Sequence, residues 1–193
     1  WIGYLSTTGV YGDCQGKWVS EYDIPNPQLL RSQRRLSCEK KWTESKLPVQ
    51  ILRLPGIYGP GRSALETIKA GQAKMVDKAG QVFSRIHVDD IAGAIFHLIK
   101  LAKIGVRPKV INLADNCPST NIEVIRYAAS LLNVDLPKIE PFHKAAQHMS
   151  PMALSFWQEN RRVNNYMLCK KLGYSLVHPN YQSGLNNCFL QLT

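Results

Sequence analysis

Close to the start of the chain three hydroxyl side chains stand in a row, Ser6, Thr7 and Thr8, directly after the apolar run Trp1 to Leu5 and before Gly9 and Gly12. Hydroxyls at the carboxyl end of a buried strand stand where open α/β sheets receive their ligands. The same hydroxyls can equally well end the strand by bonding local backbone. The loop "PGIYGPG", Pro55 to Gly61, lies between a strand-like run and a helix start, where dinucleotide-binding glycines sit. Its G-x-x-G-x-G spacing and the missing donor of Pro60 weaken that reading, and an ordinary tight turn also explains it. His87 with Asp89 and Asp90 has the residue types of a metal or acid/base site, yet Asp at a helix start is accounted for by capping, and no metal is expected. Arg85, Arg161 and Arg162 can clamp phosphates bidentately or simply solvate a surface.

The elements that must position these residues alternate between extended and helical. After the first strand and a polar loop, Asp23 to Pro27, a helix is predicted over Leu30 to Ser45, and "LPVQILRL" reads as a buried strand. Ser63 with Glu66 has capping-box spacing, so a helix starts there and stops at Gly71. An extended segment, Val82 to Val88, leads to Asp89 and Asp90, which can cap a helix with Ile91, Ile95, Leu98 and Ile99 on one face. "KVINLA" is another strand, and a second capping box, Thr120 with Glu123, opens a helix carrying Val124, Ile125, Ala128 and Leu132. From Asp135 the pattern weakens, with Pro137, Pro141 and Pro151 interrupting it, and a short helix over Asn164 to Leu172 ends at Gly173. The order predicts an α/β protein with a mostly parallel sheet.

Composition narrows the function classes. At 193 residues and 45% apolar content the chain can bury a sizeable core. Its longest apolar region, Ile91 to Val106, is interrupted by His97, Lys100 and Lys103, short of the roughly 20 apolar residues of a membrane span. No membrane partner is expected. The five cysteines form no C-x-x-C pair and their count is odd, which suits a reducing, cytoplasmic setting. The net charge of +10 is dispersed rather than gathered in one stripe. It therefore favours anionic small molecules over nucleic acid as partner.

Together the motifs resemble the extended short-chain dehydrogenase/reductase superfamily, the NAD-dependent epimerase/dehydratase group. "STTGVYG" is similar to that family's S-[ST]-x-x-V-Y-G at the end of its fifth strand, "LPVQILRLPGIYGPG" to its sixth strand and following loop, and "RIHVDDIAGAI" to its R-x-x-x-x-D-[DE]-[VI]-A segment. The tail "SPMALSFWQENRRVNN" with "KLGYSLVHPNYQSGL" further resembles the YeeZ-like branch, often labelled atypical. The resemblance implies the C-terminal part of a Rossmann-type doubly wound sheet, over residues 1–134, with a smaller substrate lobe and returning elements over 135–193. It also implies that the chain is a fragment, lacking the first βαβ units and their pyrophosphate loop, about 80 to 100 residues.

For function the resemblance implies NAD or NADP as cofactor and a small-molecule substrate, a nucleotide sugar being one candidate, with an oligomer compatible. Thr7 matches the family's substrate-orienting hydroxyl. "RLSCE" aligns with the usual K-L-A-A-E, which puts Arg35 in the place of the family lysine and Arg31 in that of the catalytic tyrosine. Arginine cannot donate a proton near neutral pH, so Thr7, Arg35 as a cation, and Tyr11 or Tyr58 as substitute acids are what remains for catalysis. Ser6, Thr7, Arg35 and Pro55, Gly56, Ile57 and Tyr58 are expected beside the cofactor, and Arg85, His87, Asn160, Arg161 and Arg162 beside the substrate. A non-catalytic NAD(P)-binding sensor is the alternative that the missing Tyr-x-x-x-Lys pair raises.

Overall fold

A computed structural model describes residues 1–192. In chain order the strands and α-helices are β1 (Ile2–Thr7), β2 (Trp18–Val19), α1 (Leu30–Glu44), β3 (Val49–Leu54), β4 (Gly56–Tyr58), α2 (Ala64–Lys69), β5 (Met75–Asp77), β6 (Arg85–His87), α3 (Val88–Lys103), β7 (Val110–Asn112), α4 (Asn121–Leu132), β8 (Ile139–Pro141), α5 (Phe142–Ala145), α6 (Pro151–Trp157), β9 (Arg162–Val163) and α7 (Tyr181–Leu190). The central sheet has the order β1-β3-β7, with Leu5 opposite Leu52 and Leu52 opposite Ile111, and both pairings are parallel. Parallel neighbours need crossovers, and α1 and α3 lie within the connections that supply them. The pairs β4–β6, β2–β9 and β5–β8 are parallel too.

One side of the sheet is apolar. Ala94 and Leu98 of α3 pack with Leu52, Leu54, Ile86, Ile111, Leu113 and Leu168, each almost wholly buried. A fully buried leucine contributes about 1.5–3 kcal/mol, so this cluster is what fixes α3 to β3 and β7. A second cluster joins Leu65 of α2, Val124 and Ala128 of α4, and Tyr181, Leu185 and Cys188 of α7. On α1, by contrast, the buried residues are Ser32 and Glu39. A polar network replaces an apolar stripe there: Ser6 Oγ donates to Glu39 Oε1 at 2.5 Å, and Arg53 Nη2 to Glu39 Oε2 at 2.7 Å.

Both capping boxes form as the spacing predicts, Ser63 with Glu66 and Thr120 with Glu123. The start of α3 does not. Its cap is His87, whose Nδ1 accepts the Asp89 N–H at 3.2 Å, while Asp89 and Asp90 occupy the first turn. Asp90 is fully buried instead, and its carboxylate accepts from the backbone N–H groups of Val177 and His178 at 2.7 and 2.9 Å. The helix expected over 164–172 is a single π-turn, Met167–Lys171, closed where Gly173 takes a φ of +75°. Sequence periodicity also passes over α7, capped by Asn180, because its stripe is short and mixed with polar residues.

The 135–192 segment is woven back into the rest. β8 lies beside β5, β9 beside β2, and α7 against α2 and α4. No helix among the described residues is long and apolar enough to cross a membrane, and all five cysteines are free.

Candidate functional site

The carboxyl ends of β1 and β3 open onto a cleft of about 590 Å³, bounded by α1, α6 and the 82–85 segment. Thr7 ends β1 and starts a turn of 3-10 helix, Thr8–Tyr11, because its Oγ1 accepts the Gly9 N–H at 3.0 Å. That contact uses a lone pair, and the hydroxyl proton donates to nothing within the described residues. A Cβ at Gly9 would lie 2.7 Å from Ser32 Oγ, so the Ser32 hydroxyl would have to turn away.

Four guanidinium groups line the cleft, Arg31, Arg35, Arg85 and Arg161, against a single carboxylate, Glu159. Arg35 donates to the Leu5 carbonyl at 3.2 Å and to Tyr4 Oη at 3.3 Å, leaving most of its fork exposed. Arg31 is a strut between α1 and α6. Its Nη1 reaches Ser155 Oγ at 2.6 Å on α6, and its plane stacks 4.6 Å from the Phe156 ring. Arg85 binds with one nitrogen alone, Nη1, to the Phe83 and Ser119 carbonyls and to Ser119 Oγ at 2.8, 3.2 and 2.8 Å. Burial holds its pKa below the ordinary value, with Asp115 opposing the shift. In return Asp115, its Oδ2 buried without a partner, is pushed up to about 7, chiefly by burial. Arg85 and Asn121 also line a neighbouring cavity of about 510 Å³ with Tyr58, Tyr181 and Leu185.

The structure therefore brings Thr7, Arg35, Pro55, Gly56, Arg85 and Arg161 to one cleft. Other expected site residues lie elsewhere. Ser6 turns inward onto Glu39, and Tyr11 is 3% exposed with its hydroxyl donating to Asn112 Oδ1 at 2.8 Å. Burial raises the Tyr11 phenol above its usual range, a shift that Arg53, 4.8 Å from the ring, only opposes. This phenol is not among the residues lining the cleft. Tyr58 faces the second cavity, and Ile57 is not among the cleft residues. The Gly56 N–H, expected near a cofactor, is already committed to the Ser84 carbonyl at 3.2 Å. His87 is fully buried at the start of α3, where burial, and next His178, hold its pKa below the imidazole range. Asn160 and Arg162 brace the 12–17 loop: the Asn160 carbonyl accepts from Cys14 and Gly16, and Arg162 donates to the Gly16 carbonyl.

Several lining residues are not among the site residues expected from the sequence. Glu159 reaches the cleft with its side chain mostly buried, Oε2 taking Arg161 Nη1 at 2.8 Å and Oε1 unpartnered. Phe83 meets Trp157 edge to face at 5.0 Å and forms an apolar wall with it. Trp157 ends α6 and Glu159 follows it, inside the stretch that resembles the YeeZ-like branch, but their place in the cleft is set by long-range packing.

A hydroxyl at the end of a parallel strand, facing a cationic cleft at the carboxyl edge of the sheet, is the arrangement of a Rossmann-like ligand site. No protein-family model matches the chain. Its fold is that of the NAD-dependent epimerases and dehydratases: it superimposes with a TM-score of 0.75 at 27% identity on a Methylobacillus flagellatus protein provisionally named as one, covering 99% of this chain and 64% of that one. A human epimerase family protein solved with NADPH has the same fold, with a TM-score of 0.79 at 17% identity over 97% of this chain and 64% of that one.

The particular likeness by sequence is to Protein YeeZ of Escherichia coli K12, 29% identical over 182 residues, which are 92% of this chain and 58% of that protein. A Silicibacter pomeroyi protein described as functionally unknown matches at 40% identity and a TM-score of 0.89, over all of this chain and 66% of that one. The chain thus spans 58% of the length of the curated relative it matches.

Proposed function

We propose that the protein acts in NAD(P)-dependent oxidoreductase or epimerase/dehydratase chemistry of the atypical short-chain dehydrogenase/reductase type, on a sugar-type or small carbonyl substrate bearing an anionic group. The observation that carries this reading is the Thr7 hydroxyl, its proton uncommitted, in a cleft with four guanidinium groups. The donor set suits the nicotinamide and ribose end of a dinucleotide: a hydroxyl, the exposed Arg35, and the Pro55–Gly56 turn. A bound nicotinamide would supply hydride acceptance and return. The chain's own residues do the rest.

Thr7 orients the substrate oxygen, and Arg85 and Arg161 hold an anionic group such as the phosphates of a nucleotide sugar. Arg35 neutralises a cofactor phosphate or caps a ribose. Glu159 is the one carboxylate among the described lining residues, held against Arg161 Nη1 at 2.8 Å. Phe83, Phe156 and Trp157 limit access of water. In this reading residues 1–134 belong to the cofactor-binding domain and 135–193 to the substrate lobe. The five unpaired thiols support a cytoplasmic setting.

A second reading, a non-catalytic NAD(P)-binding sensor, is favoured by the absence of tyrosine and lysine from the cleft lining among the described residues and by Arg31 being tied to α6. One set of assays separates the two. The protein isolated from its source is titrated with NADH and NADPH by fluorescence, then assayed with nucleotide sugars, phosphosugars and aldehydes. Turnover that falls about 100-fold in Thr7→Val supports the enzyme, a loss typical of one removed transition-state donor. Binding without turnover favours the sensor, and no binding at all sinks both.

A further inference from the structure

Away from the cleft, two imidazoles and a carboxylate converge at the start of α3. The His87 and His178 rings lie 4.1 Å apart, tilted by 55°. Asp89 Oδ2 is 3.5 Å from His87 Nδ1 and 3.2 Å from His178 Nε2, and the three ligand atoms all fall within 4.8 Å of one another. The sequence sets His87 beside Asp89 but not the third member, because His178 arrives from the far end of the chain. It is held there by Asp90, which takes the His178 N–H at 2.9 Å.

The far nitrogens of both rings have partners of their own. His178 Nδ1 lies 3.2 Å from Ser183 Oγ, and His87 Nε2 lies 3.7 Å from Cys188 Sγ. Metal-binding histidines commonly give their second N–H to such a neighbour, which fixes the ring and the tautomer. His87 Nδ1 accepts the Asp89 N–H, so it is the lone-pair nitrogen, and that lone pair faces an anionic oxygen. Two electron-rich atoms set against each other favour a cation between them. The histidines are buried while the Asp89 side chain is 51% exposed, so the group is closed behind and open in front.

We propose that His87 Nδ1, Asp89 Oδ2 and His178 Nε2 bind a divalent transition-metal ion of the zinc type, with water at the open position. Bonds of about 2.0–2.2 Å in tetrahedral array put ligand atoms about 3.3–3.6 Å apart, close to the two separations that involve Asp89. Binding draws the two nitrogens together and transfers the His87 lone pair from the Asp89 N–H to the metal. Imidazole nitrogens select zinc-like ions over magnesium or calcium, which prefer oxygen. None of the three residues lines the Thr7 cleft. The ion would staple the 174–178 segment, and α7 beyond it, to α3, and it would act on stability rather than on the reaction.

The test uses the full chain, stripped with a chelator and titrated with Zn²⁺ by calorimetry and thermal melting, with Mg²⁺ as control. One equivalent should bind saturably and raise the melting temperature, Mg²⁺ should do neither, and Co²⁺ should give a ligand-field spectrum. Asp89→Asn should weaken binding at least about tenfold and shift that spectrum, and His178→Gln should abolish the single-site heat. Asp89 is exposed, so its variant keeps the fold and remains decisive if the His178 variant does not fold. Failure of Zn²⁺ to raise the melting temperature, or binding unchanged in Asp89→Asn, overturns the assignment; the latter would place the ion on cysteines or surface histidines.

Discussion

Glu39 and Arg53 meet at 2.7 Å with both side chains about 5% exposed, and Ser6 adds a hydrogen bond to the same carboxylate. Taking two charges out of water costs several kcal/mol per ion, a penalty that is offset only while the pair is complete. Glu39→Ala leaves Arg53 buried and unpaired, and is expected to destabilise the fold by about 3–5 kcal/mol, read from urea unfolding. A loss below about 1 kcal/mol would mean that Arg53 finds water instead. Asp115 poses the opposite problem, a carboxyl with one oxygen unpartnered and its pKa raised from 3.8 to about 7. Between these values the folded chain keeps a proton that the unfolded chain has lost. Stability should therefore fall as pH rises from about 4 to about 7 and level off above, by about 4 kcal/mol for a shift of this size. Asp115→Asn keeps the acceptor for the Cys117 N–H and should remove this component of the pH slope in melting curves.

At the scale of elements, α7 is seated by a missing side chain. A methyl on Gly184 would overlap the ring and hydroxyl of Tyr58, which is itself held between His87 at 5.1 Å and the Asn180 carbonyl at 3.4 Å. The ring can yield only by giving up these contacts and shifting toward the cavity it faces, so Gly184→Ala should cost about 1–3 kcal/mol despite the gain in helix propensity, as measured by denaturant midpoint. An unchanged or raised midpoint would show that α7 can lift from β4. The cleft depends on a similar seating. α1 and α6 are joined across it by Arg31, which places Phe156 and Trp157 over the strand ends.

For the whole molecule, the consequential feature is the outer edge of β1, which pairs with β3 on one side and has no strand on the other within the described residues. Trp1 and Leu5 are exposed along it, and an open apolar edge is a template for another strand. Samples of these 193 residues are expected to self-associate as concentration rises, by light scattering. A monodisperse, cooperatively melting sample would contradict this. The net charge of +10 works against association at low salt, so added salt should promote it.

Local order was legible in the sequence wherever short-range hydrogen bonds or periodicity decide structure. Both capping boxes, the extent of α1, the β3 run and the hydroxyl that ends β1 follow from residues close together along the chain. The capping of α3 did not follow, because two adjacent Asp residues look like caps until tertiary structure recruits Asp90 to hold His178. Tyr11 has the type of a catalytic acid, and its distance from the cleft is fixed by Asn112 and Arg53, which lie on other strands. Glu159 and the His87, Asp89 and His178 trio exist only once distant loops are packed together. Sequence by itself determined the α/β alternation and the hydroxyl at the strand end, since those need only neighbours along the chain. Which charged groups share a cleft, and which are buried as partners, was decided by long-range packing that no local pattern encodes.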